Sequence, residues 1–261
     1  MVAGLAPVDV LLVGGIVLLG GVVMGLAGFG YAVVSTATLA TVLSPADAVT
    51  IMILPLLASN VSLARELDRD ELGACVARFW PYVLAAVAGT VIGMALLDRV
   101  PARWLALGIG LFTLVYVATS QNRFEIPGLD RFTRWCFVER TAFKVGVGAV
   151  SGFIFGATNV GVQVVAYLDA LDLDRDVFIG VLALILVGIS AIRVGLAFTL
   201  GLYGTGPLLA LSAGAALVGL GGVEVGARLR RVVAAQRQRA AVFLLLTVIG
   251  LRLMAKGLGL A

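Results

Sequence analysis

The chain has 261 residues, of which 61% are hydrophobic and only 13% are charged, and its formal net charge is +4. Soluble domains carry about 25% charged residues, so this composition excludes a water-soluble globular protein. There is no histidine, which excludes histidine metal sites and Ser/His or Cys/His catalytic pairs. The basic residues lie in short connections between apolar stretches, a pattern that favours membrane topology over nucleic-acid binding.

In chain order, the apolar segments form two similar series, which we call the two halves of the chain. Each half begins with an apolar segment that ends in a glycine-rich break. A short apolar segment and three longer ones follow. The segments of the first half are Val8–Leu26, Tyr31–Val42, Ala48–Ala64, Phe79–Leu97 and Trp104–Thr119. Those of the second half are Thr141–Phe155, Val160–Leu171, Val177–Leu200, Pro207–Ala227 and Ala240–Lys256. The short segments reach about 18 Å as helices, so we expect each to form a bent or re-entrant hairpin with the segment before it.

The two halves repeat one pattern. Gly21 and Gly25 are echoed by Gly148 and Gly152, 127 residues later, and further matches follow in the same order at offsets up to 133 residues. The sequence therefore predicts a first membrane repeat over residues 1–120, a cytoplasmic polar link over 121–140 and a second repeat over 141–261. The predicted fold is an all-α polytopic membrane protein with about eight full transmembrane helices plus broken or re-entrant half-helices, up to ten helical segments.

The distribution of basic residues predicts the orientation. If each opening pair of segments returns the chain to its starting side, 14 Lys and Arg residues lie on one face and four on the other. If each pair crosses once instead, the split is 10 against eight. The positive-inside rule favours the first arrangement, with both termini outside the cytoplasmic (inner) membrane and two repeats of opposite orientation. Many secondary transporters have this plan, with a mid-membrane site formed by broken helices.

The two breaks are the predicted binding region. Backbone that is not helical at membrane depth persists only where protein or a cavity satisfies its polar groups, and a helix that starts there favours an anion. From the two breaks and the segments that follow them, we expect substrate contacts from Gly28, Phe29, Gly30, Tyr31, Ser35, Thr158, Asn159 and Gln163. The alternative is that glycines such as Gly89 and Gly222 only let helices pack closely.

Arg193 is the most informative residue because it lies inside an apolar segment, where a charge costs about 3 kcal/mol. It is expected either to bind a substrate anion or to extend its guanidinium to the outer surface. Asn60 is expected to line the same site, or else to bond a neighbouring helix. Glu224, four residues before Arg228, is expected to form a local ion pair, and Pro55 to kink its helix.

The chain resembles the TauE/SafE sulfite exporter family over nearly its whole length. The resemblance rests on the Gly25–Gly30 break, the Ser44-Pro45 turn, the stretch Ala58–Asp70 and the shortened second copy from Gly148 through Gly226. Phe29 interrupts the glycines of the first break, which is a departure from the family pattern. The resemblance implies movement of small sulfur-containing anions, such as sulfite or organosulfonates, across the cytoplasmic membrane.

Three functions are weighed. The leading one is a secondary anion transporter, in export or in import, without a cofactor, metal or nucleic-acid partner; its partners are the small anion, the lipid bilayer and, as a further expectation, a second copy of the chain. An intramembrane enzyme is disfavoured because the sequence has no HExxH or GxSxG motif. An assembly subunit is disfavoured because a scaffold gains nothing from broken helices.

Overall fold

A computed structural model of the chain describes residues 7–27, 30–64, 69–97, 99–120, 141–159, 161, 164, 167–168, 175–204, 206–229 and 235–260. Regular structure in these ranges is helical. The helices are α1 (Pro7–Ala27), α2 (Tyr31–Val42), α3 (Pro45–Ile51), α4 (Ile53–Ala64), α5 (Arg69–Leu97), α6 (Ala102–Ser120), α7 (Thr141–Thr158), α8 (Arg175–Thr199), α9 (Pro207–Leu229) and α10 (Ala235–Leu258). The predicted all-α fold is confirmed, and most predicted segments match a helix to within a few residues.

Four apolar stretches in the described part of the chain are long enough to cross a membrane: Pro45–Ser62, Phe79–Leu97, Thr141–Thr158 and Pro207–Leu229. The other apolar helical stretches measure 10–17 residues. The expected number of about eight full spans therefore stays a prediction. The short segment Val160–Leu171 lies mostly outside the described residues, as does the link 121–140.

The opening pair of the first half folds back on itself, as the sequence predicts. Gly30 joins α1 to α2 with φ of 92°, a left-handed conformation that glycine adopts without strain. A Cβ on Gly30 would meet Val23, and one on Gly20 would meet Ser35, so α2 runs antiparallel along α1. Most of α2, including Val34, is buried, so this short helix lies in the centre of the molecule.

The third segment of the first half is broken at Met52, between α3 and α4. Pro55 is the cause, because it has no N–H to donate to the carbonyl of Ile51 four residues earlier. The hydroxyl of Ser212, in α9, donates to that carbonyl at 2.8 Å. The expected kink is thus a helix break whose freed acceptor is bonded by the other half of the chain.

Two helix pairs pack unusually closely, and each joins the two halves. A Cβ on Gly21 or Gly25 of α1 would meet α9 backbone near Gly222 and Gly226 respectively. Residue numbers at the contact rise together along both helices, so α1 and α9 run parallel. The close-packing interpretation of these glycines is confirmed.

The second close pair is α5 with α7. A Cβ on Gly89 would meet the backbone of Ala149 and Phe153, and one on Gly152 would meet the backbone of Ala86. These helices also run parallel. Since α7 is the repeat mate of α1, and α9 the mate of α5, the two glycine interfaces are equivalent under exchange of the halves.

The last helix of each half decides the relative direction of the halves. Gly257 of α10 lies against Leu107 of α6, whereas Gly250 lies against Leu114. Sequence numbers rise along one helix as they fall along the other, so α6 and α10 are antiparallel. Because these helices are repeat mates, the halves have opposite orientations. This is the inverted-repeat arrangement that the basic residues predict; two halves of the same orientation would make the pair parallel.

Candidate functional site

The centre of the candidate site is the side chain of Arg193 on α8. Its accessible surface is 0%, and its guanidinium carbon lies 5.0 Å from the ring centroid of Phe155 on α7. The same ring lies near Gly161 of the second break, where a Cβ would come 3.2 Å from it. Arg193 is thus held inside the protein, next to the second break, and does not extend to the outer surface.

The guanidinium of Arg193 has no hydrogen-bond partner for Nε, Nη1 or Nη2 within the described ranges. The described carboxylates lie elsewhere: Asp47 accepts from Ser44, and Glu224 pairs with Arg228 at 2.9 Å. The latter contact confirms the predicted local ion pair. Five N–H donors of one buried cation are consequently left without an acceptor from the part of the chain that is described.

Asn159 ends α7 and forms the second break. It has φ of 61°, and it is the one residue other than glycine with positive φ among those described. Its side-chain nitrogen donates to Thr36 Oγ1 at 3.1 Å and to the Val49 carbonyl at 3.0 Å. Because a carbonyl only accepts, the nitrogen must face Val49, and Oδ1 is the end left without a partner within the described structure. Asn159 therefore ties the second break to α2 and α3 of the first half.

Asn60 and Thr158 use their polar groups inside the protein. Asn60 on α4 donates to Ser190 Oγ at 3.1 Å, one helical turn before Arg193. This is the bond to a neighbouring helix that was the alternative interpretation. The hydroxyl of Thr158 donates to the carbonyl of Ile154, one turn earlier in its own helix, at 2.7 Å.

The predicted residues of the first break lie along the buried helix α2. Gly30 is its N-cap residue and has no side chain to cap this end. Tyr31 is buried, with its hydroxyl close to Gly219 of α9, and Ser35 is buried against Gly20 of α1. The first break and the second are linked through Thr36, which accepts from Asn159.

A comparison with known protein families gives one match that covers nearly the whole chain. The model of the family described as sulfite exporter TauE/SafE matches residues 13–253. The chain belongs to this family. No curated protein and no solved structure matches the chain.

TauE/SafE proteins are membrane transporters that export sulfite and related anions, so the chain belongs to a transporter family and not to an enzyme family. In this TauE/SafE member, three predicted site residues, Gly28, Phe29 and Gln163, lie outside the described residues. Of the others, Asn60 on α4 bonds α8, the helix that carries Arg193. Thr158 and Asn159 lie at the end of α7, and Gly30, Tyr31 and Ser35 lie on or beside α2.

Several site residues of this TauE/SafE member escaped the sequence reasoning. Phe155 reads as one more apolar residue, and nothing in its spacing to Arg193 signals a contact. Ser190 is three residues before Arg193, a spacing that places both on one helix face and that offered a usable signal. Thr36 follows the predicted Ser35 and is the residue that receives the hydrogen bond.

Lys256 lies near the end of α10. Its ammonium donates to the carbonyls of Ala40, Thr41 and Leu43 at 2.8, 3.4 and 3.2 Å. These carbonyls end α2, where the helix dipole is negative. Lys256 therefore caps the central short helix from the opposite half.

Proposed function

We propose that this chain is a secondary transporter that exports a small sulfur-containing anion across the cytoplasmic membrane, and that Arg193 binds the anion. The observation that carries the proposal is the buried guanidinium without a hydrogen-bond partner within the described structure. Family membership supplies the general activity, membrane export of sulfite and related anions. The substrate, the direction of transport and the role of Arg193 are what we propose for this chain.

Burial makes Arg193 costly unless it binds something. Withdrawing a cation from water costs several kcal/mol even after the protein relaxes. Contact with an aromatic face returns about 2 kcal/mol when the pair is desolvated. A guanidinium cannot lose its proton to escape the cost. The part of the desolvation cost that the aromatic contact does not offset favours binding of an oxyanion by the unpaired N–H groups.

The geometry at Phe155 favours an oxygen-rich anion. The carbon of the planar guanidinium lies over the ring, 5.0 Å from its centroid. The edge of the plane carries the N–H donors, which form a rigid fork that matches two oxygens of one sulfonate or sulfite group. Chloride is a single spherical ion, so it matches the geometry of these N–H donors less well.

The two linked helix breaks contribute to the proposed anion site. The N-cap residue of α2 is Gly30, which has no side chain to bond the first N–H groups of the helix, so these groups and the positive dipole end favour an anion. Asn159 joins this helix to the second break, which adjoins Phe155 and thus Arg193. A movement of one half relative to the other would therefore change the contacts of the bound anion.

Export needs no ATP under this proposal. With the cell interior negative, each anionic charge that leaves gains about 2.3 kcal/mol per 100 mV. That amounts to roughly 50-fold accumulation outside. We place both termini outside, because this orientation puts most basic residues in the cytoplasm.

Flux into and out of proteoliposomes tests the proposal. Purified protein is reconstituted, a membrane potential is imposed with potassium and valinomycin, and sulfite, methanesulfonate, sulfate and chloride are followed separately. We expect potential-driven movement of at least one sulfur anion and little movement of chloride. Correctly inserted protein that moves none of the sulfur anions would contradict the proposal.

A further inference from the structure

The candidate site contains one positive charge and no described negative one. Arg193 is buried, and its nitrogens have no partner in the part of the chain described. From the turn after α8, Tyr203 lies close enough to interact electrostatically, and it is neutral at physiological pH. Phe155 and Asn60 face this region from α7 and α4 and carry no charge. The described side chains there supply a net charge of +1 to a ligand.

The other described cations that are not fully exposed lie far away or are already bonded. Lys144 is buried near the start of α7, with its ammonium 5.2 Å from the ring centroid of Phe79. It precedes Phe155 by 11 residues, which is about 16 Å along a helix. Lys256 donates to three carbonyls at the end of α2. Neither adds a second charge beside Arg193.

An unpaired acceptor close to Phe155 adds no attraction for a second negative charge. Oδ1 of Asn159 is buried and has no partner within the described ranges, and the bonds of the side-chain nitrogen fix it as an acceptor. Asn159 follows Phe155 by one helical turn, and its backbone N–H donates to the Phe155 carbonyl at 2.9 Å. An acceptor repels an oxyanion and binds a ligand O–H instead.

We infer that the Arg193 site takes its sulfur oxyanion as a monoanion, that is, as bisulfite or an organosulfonate and not as the sulfite, sulfate or thiosulfate dianion. This rests on the proposed function and adds the charge state of the substrate. A monoanion with Arg193 leaves the buried site neutral. A dianion leaves one net negative charge in a low-dielectric interior, which is the more costly state.

The pH dependence of flux separates the two charge states. Sulfite uptake into proteoliposomes is measured at fixed total concentration, below KM, from one pH unit below to one unit above the pKa at which bisulfite loses its proton. Methanesulfonate, a monoanion throughout this range, is the control for titration of the protein itself. Protein-free liposomes of the same lipid correct for permeation of dissolved sulfur dioxide, and sulfate tests a fixed dianion.

We expect sulfite flux to fall about tenfold across this range, because the bisulfite fraction falls tenfold. Methanesulfonate flux should stay constant, and sulfate flux should equal that of protein-free liposomes. Sulfite flux that stays constant or rises with pH, or sulfate flux comparable to that of methanesulfonate, overturns the inference while leaving an anion transporter in place. No flux of any sulfur anion overturns the proposed function, and the inference with it.

Discussion

The guanidinium carbon of Arg193 lies over the ring of Phe155, at 5.0 Å from its centroid. The two residues are 38 positions apart and belong to α8 and α7. This cation–π contact holds the guanidinium beside the ring before an anion arrives. Binding that is organised in advance loses less entropy when the ligand arrives.

Replacing Phe155 tests this positioning role. Phe155→Leu keeps an apolar side chain but removes the aromatic face, a contact worth about 0.5–2 kcal/mol. We expect KM for the transported anion to rise by roughly 2- to 30-fold, with a smaller effect on maximal flux. Phe153→Leu, on an exposed face of the same helix, is the control. An unchanged KM in Phe155→Leu would show that the ring does not position Arg193.

Asn159 combines a left-handed backbone with a hydrogen-bonding side chain, and two substitutions separate these features. Asn159→Gly and Asn159→Ala both lose the bonds to Thr36 and Val49. Alanine also resists the positive φ, at a cost of about 1–2 kcal/mol. We expect reduced transport in both variants and a lower midpoint of thermal unfolding for alanine than for glycine. Equal midpoints would argue that the backbone at this break is not left-handed.

Lys256 caps the end of α2, so its loss should weaken the protein. Lys256→Met removes three hydrogen bonds from a charged donor to the carbonyls of Ala40, Thr41 and Leu43. We expect the free energy of unfolding to fall by about 1–3 kcal/mol, measured by thermal or denaturant unfolding in detergent. Arg252→Met, an exposed site one turn earlier with the same charge change, should have little effect. Equal effects of the two substitutions would contradict the capping role.

Two glycines on α7 form a matched pair for the close packing of the halves. A Cβ on Gly152 would meet the backbone of Ala86, whereas one on Gly146 would meet nothing. Gly152→Ala should strongly reduce the yield of folded protein in size-exclusion chromatography. Gly146→Ala should be neutral or stabilising by up to about 1 kcal/mol, because alanine favours the helix. Normal folding of Gly152→Ala would show that α5 and α7 are less closely packed.

Much of the fold is readable from the sequence because membrane helices follow simple rules of length and apolarity. The short segment Tyr31–Val42 was predicted with the bounds that α2 has. Pro55 was predicted to kink its helix, and the helix is interrupted at Met52, because proline leaves the carbonyl of Ile51 without an N–H donor. The orientation of the halves followed from the basic residues, and the antiparallel pair α6 and α10 supports it.

The candidate site was harder to predict from the sequence than the fold, because its contacts join distant parts of the chain. Arg193 and Asn159 were evident as polar residues in apolar surroundings. Their surroundings were not: Thr36 is 123 residues from Asn159, and Phe155 has no property that marks it as a neighbour of Arg193. Such pairs depend on how α2, α7 and α8 are placed relative to one another, and neither residue type nor spacing encodes that.

The most direct test of the central claim is anion flux by Arg193→Met compared with the parent protein, in matched proteoliposomes. The substitution keeps an unbranched apolar chain and removes a buried charge without a described partner, so folding should be preserved or improved. We predict at least a tenfold loss of sulfur-anion flux with an unchanged or higher midpoint of thermal unfolding, and near-normal flux for the exposed control Arg228→Gln. Full flux in Arg193→Met would contradict the account.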